Sequence, residues 1–152
     1  MLLSLSWLRE FVPYEGPAQE LGDRLTMLGL ELEEIVRPYD AIAPIVVGHV
    51  VECVDHPESD HLHICKVDCG DYGHDIQIST GAANVYAGMH TAAALDGSTL
   101  PGGIKIKARK MQGVESNGML CSGEELGLND DLFPGSEVYG LLILPEDSVP
   151  GT

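Results

Sequence analysis

Eight lysines and arginines stand against 24 aspartates and glutamates in this 152-residue chain. Four of the eight, Lys105, Lys107, Arg109 and Lys110, share one run, IKIKARK (104–110). On an extended chain, alternate residues share a face, with successive side chains roughly 6.6 Å apart. A ridge of this kind suits a phosphate backbone, because cationic contacts release counterions and drive binding that does not depend on base sequence. On this reading Lys105, Lys107 and Arg109 line one side, while Ile104, Ile106 and Ala108 turn inward to fill a barrel. A plainer account stands beside it. Edge strands carry lysines to block edge-to-edge pairing, and four cations can offset neighbouring carboxylates.

Other chemistry is weaker. HLHICKVDC holds His61, His63, Cys65 and Cys69, but zinc needs four ligands converging tetrahedrally. On a strand, His61 and Cys69 stand over about 20 Å apart by rise alone. His63, Cys65 and Cys69 share a face but spread along it, and core packing of Cys65 and Val67 is the better account. Cys121 adjoins a helix start, which can lower a thiol pKa, yet no histidine lies nearby in sequence and a buried structural thiol is expected. Glu124 and Glu125 suit the first turn of a helix. Asn84 and Ser116 lie in glycine-bearing loops, where turn geometry is the default role and contact with RNA the secondary one. There is no G-x-x-x-x-G-K-[ST] loop, no G-x-G-x-x-G and no credible catalytic set.

The elements that position these residues fall into two parts. In 1–38, SWLREFV (6–12) reads as a short helix entry and about 17–28 as a longer helix, with Pro17 near its first turn and Gly29 at its end. ELEEIVR (31–37) reads as a strand closed by Pro38. This piece is too small to bury a helix and a strand unaided. From Asp40 onward short strands follow: PIVVGHVVECV (44–54) with a bend expected at Gly48, HLHICKVDCG (61–70), HDIQIST (74–80), HTAAAL (90–95) and IKIKARK. Five short strands in about 70 residues, one of them basic, fit a small barrel such as an OB-fold. Ser122 and Glu125 form a capping-box pattern opening one helical turn that Gly127 ends. Residues 129–140 read as a loop, LLILP (141–145) as a last strand, and the ending EDSVPGT as a cut through a longer chain.

Composition narrows the class. A formal charge of −16 argues against nucleic-acid binding by bulk attraction, so an anionic partner must meet a local patch. The start MLLSLSWLREF lacks a basic n-region and reaches Arg9 and Glu10 too early for a signal peptide. No stretch approaches the roughly 18 apolar residues of a membrane helix. A cytoplasmic protein with four free thiols is expected.

A set of local motifs is more specific: His56-Pro57, Cys65-x-Val67-Asp68, Gly81-Ala82-x-Asn84-Val85, Leu100-Pro101-Gly102-Gly103, Gly113-Val114-x-Ser116-x-Gly118-Met119 and Glu125-Leu126-Gly127. In this order they resemble the tRNA-binding domain of several translation proteins. These include endothelial-monocyte-activating polypeptide, some methionyl-tRNA synthetases and small free-standing tRNA-binding proteins. The start SLSWLREFV (4–12) and LTMLGLELEEI (25–35) is similar to the beginning of the bacterial phenylalanyl-tRNA synthetase β-subunit family.

The resemblance implies an all-β OB-fold module over 39–152, preceded by the first half of a small α/β domain (1–38) whose second half follows the barrel in that family. It implies tRNA as partner, recognised weakly and by shape, through Lys105, Lys107, Arg109 and Lys110 with Asn84 and Ser116. It further implies the rest of the β subunit and the α subunit as partners, a monomer when alone, and no cofactor within these residues. ATP and Mg²⁺ belong to the intact enzyme. The chain departs from the family pattern at His61, Thr80 and Gln112, where the family often has Lys, Cys and Arg. Two of these changes remove positive charge. Two other readings stay open: a module that has lost RNA affinity and serves subunit architecture, and a free-standing homodimeric tRNA-binding protein.

Overall fold

Ser4 opens the first helix by accepting the Trp7 N–H on its hydroxyl at 3.4 Å, and α1 (Leu5–Phe11) follows. It stops because Val12 precedes Pro13, which forces Val12 into the extended region (φ −131°, ψ 126°). Pro17 then precedes α2 (Ala18–Met27). That helix ends in a Schellman arrangement: Leu30 N–H donates to Leu25 O at 2.9 Å and Gly29 N–H to Thr26 O at 3.0 Å. Gly29 takes the left-handed conformation (φ +92°) that such an ending needs. The computed structural model describes residues 2–37 and 43–152.

Residues 31–37 form no strand, contrary to the alternation of ELEEIVR. They pass α2 without regular structure, and Leu32 N–H donates to Thr26 Oγ1 at 3.3 Å. Leu32 fills a notch at Gly22, its Cδ2 occupying the space a Cβ there would need. With no strand beside it among the described residues, the alternation has nothing to ladder with. Pro38, expected to close that strand, lies outside the described residues. Trp7, Phe11, Met27, Leu28 and Leu30 remain largely exposed. The chain divides into two units, Met1–Pro38 and Tyr39–Thr152.

The second unit is built on β1 (Ala43–Asp55), β2 (His63–Asp68), β3 (Ile76–Thr80), β4 (His90–Thr99), β5 (Arg109–Met111), β6 (Val114–Ser116) and β7 (Gly118–Cys121). Five strands make one antiparallel sheet in the order β3-β2-β1-β4-β7, and β5 and β6 pair as a separate hairpin. The first half of β1 pairs with β4, up to His49↔His90. The second half pairs with β2 from His49↔Asp68 onward, with a bulge between Val50 and Glu52. One strand thereby serves both halves of a curled sheet. Gly48 sits at the changeover, where a Cβ would come within 2.8 Å of Val67 Cγ1 and 3.0 Å of Ala93 Cβ. Close approach requires the glycine there.

Inside the curl lie Val50, Cys65, Val67, Ile78, Met89 and Ala93, each at most 1% exposed. The sheet is an OB-type, partly open barrel, and its far edges meet without a ladder. Asn117 N–H donates to Gln77 O at 2.8 Å, and Ser79 N–H donates to Ser116 Oγ at 3.0 Å. The expected last strand at 141–145 is reduced to one bridge, His90↔Leu144, with Leu142 N–H on Cys121 O. Among the described residues no helix is long and apolar enough to cross a membrane.

Candidate nucleic-acid interface

After β4 the chain turns through Leu100–Gly103 and comes back along the end of the strand it has just left. Lys105 bridges Thr99, Ile106 N–H donates to Ser98 O at 2.8 Å, and Gly97 N–H donates to Ile106 O at 2.9 Å. There the ladder stops. The continuous alternating strand expected over 104–110 is not formed, because β7 already occupies the edge of β4 from Ala92 to Leu95. Only residues 97–99 are left for the returning chain to pair with. Ile106 alone turns inward (9% exposed), whereas Ile104 is 60% exposed and Ala108 is exposed. The inward face predicted from the alternation is a single residue.

Beyond Ile106 the backbone is irregular until β5. It is held at both ends by side chains. Ala108 N–H donates to Asp96 Oδ1 at 2.7 Å, and the buried His56 bonds Met111 O through Nε2 at 3.3 Å. His56 Nδ1 accepts the Glu58 N–H at 3.1 Å, which places the imidazole proton on Nε2, facing that carbonyl. The β5–β6 hairpin turns at Gln112 and Gly113, both at positive φ (49° and 83°), the pattern of a type I′ turn. Gln112, one of the departures from the family pattern, therefore occupies a position with a backbone cost.

Lys105, Lys107, Arg109 and Lys110 are all exposed. None has a carboxylate within 4 Å among the described residues, where ion pairs such as Arg24–Glu20, His63–Asp55 and His74–Asp68 lie elsewhere. The account in which these cations offset neighbouring carboxylates has one candidate, Glu115 opposite Lys110 in the β5–β6 hairpin, and no contact within 4 Å.

The two polar candidates are placed differently. Ser116 is 1% exposed, and its hydroxyl accepts from Ser79 N–H and donates to Gly118 O, both at 3.0 Å. Asn84 clamps the chain at Leu141, donating to its carbonyl at 3.1 Å and accepting its N–H at 2.8 Å. Both side chains are engaged in closing the barrel and tying down a loop. Ser116 is the ladder partner of Arg109 in the β5–β6 hairpin, so its backbone stands beside that cation while its hydroxyl is used inside the barrel. Gly140 stands against Asn84, which occupies the space a Cβ there would need.

The thiols are structural in character. Burial, reinforced by the neighbouring Cys53, pushes Cys65 up to about 12, and burial with the nearby Glu125 carboxylate does the same for Cys121. Cys69 rises to about 11 by burial and the charge of Asp68. His61, His63, Cys65 and Cys69 do not converge: Cys65 and Cys69 are in the core, and His63 bonds Asp55 at 3.1 Å. The Ser122–Glu125 capping box forms reciprocally. Ser122 N–H donates to Glu125 Oε2 at 2.8 Å and Glu125 N–H to Ser122 Oγ at 3.1 Å.

A cleft of about 790 Å³ runs between the loop after β3 and the 136–141 loop, with Arg109, Glu125 and Tyr139 in its lining. Of the aromatic side chains, Tyr72, Tyr86 and Tyr139 are exposed, while Phe133 packs against the core.

A family model described as a putative tRNA binding domain matches residues 45–152. The chain belongs to that family. Its relatives share more than the domain. The phenylalanine–tRNA ligase β subunit of Oleidesulfovibrio alaskensis is 60% identical over 151 residues, covering 99% of this chain and 18% of that protein. The same subunit of Nitratidesulfovibrio vulgaris is 60% identical, covering 96% and 17%. That of Lactiplantibacillus plantarum is 44% identical, covering 99% and 19%. The chain spans less than a fifth of the length of these relatives. A tRNA-binding domain is thus present whose cationic run has no ion pair among the described residues and whose sequence relatives are ligase subunits.

Sequence reasoning missed Asp96 and His56 as the residues that hold this run. In the sequence His56-Pro57 stands only as a motif, and no spacing signal marks Asp96.

Proposed function

We propose that this chain is the tRNA-binding part of a phenylalanine–tRNA ligase β subunit, contacting the phosphate backbone of tRNA through Lys105, Lys107, Arg109 and Lys110. The observation that carries the reading is the absence of any ion pair on these four exposed cations among the described residues. Unpaired cations on one short run keep their charge for an external anion, and a family built around tRNA supplies the anion. Binding is weak and shape-directed, because 17 acidic against five basic side chains over 39–152 repel RNA elsewhere. In the whole ligase, ATP and Mg²⁺ serve the attachment of phenylalanine to tRNA in parts beyond these residues. The rest of the β subunit and the α subunit are its partners, in the cytoplasm, and this chain alone is a monomer. Asn84 and Ser116 support the interface from behind, by bracing the barrel.

The net charge favours a second reading, a module kept for subunit architecture alone. A salt series with bulk tRNA separates the two. A log–log slope of about −2 to −3 for wild type, as expected for up to four phosphate contacts, flattened by Ala at all four cations, supports RNA binding. Absence of binding at low salt by both proteins leaves architecture as the function.

A further inference from the structure

An RNA-binding strip gains nothing electrostatically from a carboxylate beside it, yet Asp96 is there. It ends the apolar run of β4 immediately before Gly97, which bends the chain at φ +89°. It is exposed and pairs with none of the four cations. What it accepts is backbone, the N–H of Ala108 at 2.7 Å. Ala108 separates Lys107 from Arg109 in the stretch where the ladder to β4 has ended and β5 has not begun. A carboxylate on an N–H makes a short, charge-assisted bond. At an exposed amide its worth is order, since water would satisfy the same donor.

Resting on the RNA reading above, we infer that Asp96 is a positioning residue for the cationic strip. It fixes the backbone between Lys107 and Arg109 where no strand does, so that the cations meet phosphate already ordered. Pre-ordering lowers the entropic cost of binding. The charge that does the ordering also repels RNA, so Asp96 acts in two opposite directions, and substitutions can separate them.

Asp96→Asn keeps an oxygen for the Ala108 N–H and removes the charge. Asp96→Ala removes both. Bulk tRNA affinity at low salt is expected to rise about two- to threefold in D96N, from the loss of one nearby negative charge. D96A is expected to bind at least about fivefold more weakly than D96N, from the loss of the anchoring bond and its order. Amide exchange at Ala108 and Arg109 should quicken in D96A and not in D96N, with Val46 and Ala93 in the sheet unchanged. Should D96A not reach the wild-type fold, Asp96→Ser takes its place, its oxygen one bond short of the reach of a carboxylate.

Equal tightening in D96A and D96N, or unaltered exchange at Ala108 in D96A, overturns the inference and leaves the RNA reading intact. Wild type without salt-dependent binding removes the RNA reading, and the inference with it.

Discussion

β2 and the connection Ile104–Met111 carry similar residues, apolar side chains alternating with polar or cationic ones, and end in different states. β2 has a strand on each side, β1 from Asp55↔His63 to His49↔Asp68 and β3 from His63↔Thr80 to Val67↔Ile76. Its alternate residues Cys65 and Val67 are fully buried. The connection has three residues of β4 to lie against at its start and only the short β6 beside Arg109–Met111 at its end; it buries Ile106 alone and leaves its cations standing in solvent. The difference shows that alternation selects faces, while neighbours decide whether there is a strand. It also separates two tasks. Where the backbone is fully laddered, side chains hold the fold. Where it is not, they are free for a partner, and their placement falls to individual anchors.

That division predicts opposite phenotypes. The largest effect belongs to the laddered region. At Gly118 a Cβ would come within 2.6 Å of the Ala94 carbonyl oxygen, a backbone atom that cannot turn aside. Gly118→Val is expected to destabilise by about 3 kcal/mol or more in a denaturant titration. A cost under 1 kcal/mol would mean that the sheet edge yields, and that the contrast with the connection is overdrawn.

Ser116→Ala tests barrel closure at the next scale. It orphans the Ser79 N–H, and an unsatisfied buried donor costs roughly 1–3 kcal/mol. The loss should appear as a lower denaturation midpoint with faster exchange at Ser79. A change in the salt slope of tRNA binding, with stability unaltered, would instead place Ser116 at the RNA surface.

For the connection the expectation reverses. Replacing Lys105, Lys107, Arg109 and Lys110 together by Ala should leave stability within about 0.5 kcal/mol, as for surface positions without partners, while flattening the salt dependence. A large stability loss would tie these cations to the fold and return them to the role of guards on a strand edge.

Much of this was legible because it is local. The sheet strands follow from short apolar alternations between turn residues. The Ser122–Glu125 box needs only a spacing of three, and Gly29 at the end of α2 follows from the left-handed ending that glycine alone adopts cheaply. What escaped depends on distant neighbours. Ser116 meets Ser79 across 37 positions, Asn84 meets Leu141 across 57, and His56 meets Met111 across 55. No spacing rule links such pairs. Residues 31–37 and 106–108 mislead for one shared reason: each belongs to an alternating run, and each lacks the neighbour that would make the alternation a strand.

The smallest effect compares two carboxylates that each hold a backbone amide, Asp96 on the connection and Asp68 at the end of β2. Asp68 accepts the Gly70 N–H at 2.9 Å and bonds His74 Nδ1 at 2.6 Å. These two bonds, the Gly70 one foremost, hold its carboxyl below the usual range. A folded-state pKa below the unfolded one means that the ionised form favours folding. The contribution is present above the unfolded value of about 4 and is lost as pH falls through the lower folded value. Asp68→Asn keeps an acceptor for Gly70 but cannot titrate, so wild type should exceed it in denaturation midpoint near neutrality by a small margin that shrinks on acidification below pH ~4. A margin constant down to pH ~2 would mean that Asp68 titrates alike in both states and that its bonds act by geometry alone. The turn after β2 would then be held in the same way as the strip after β4, by an oxygen in the right place whatever its charge.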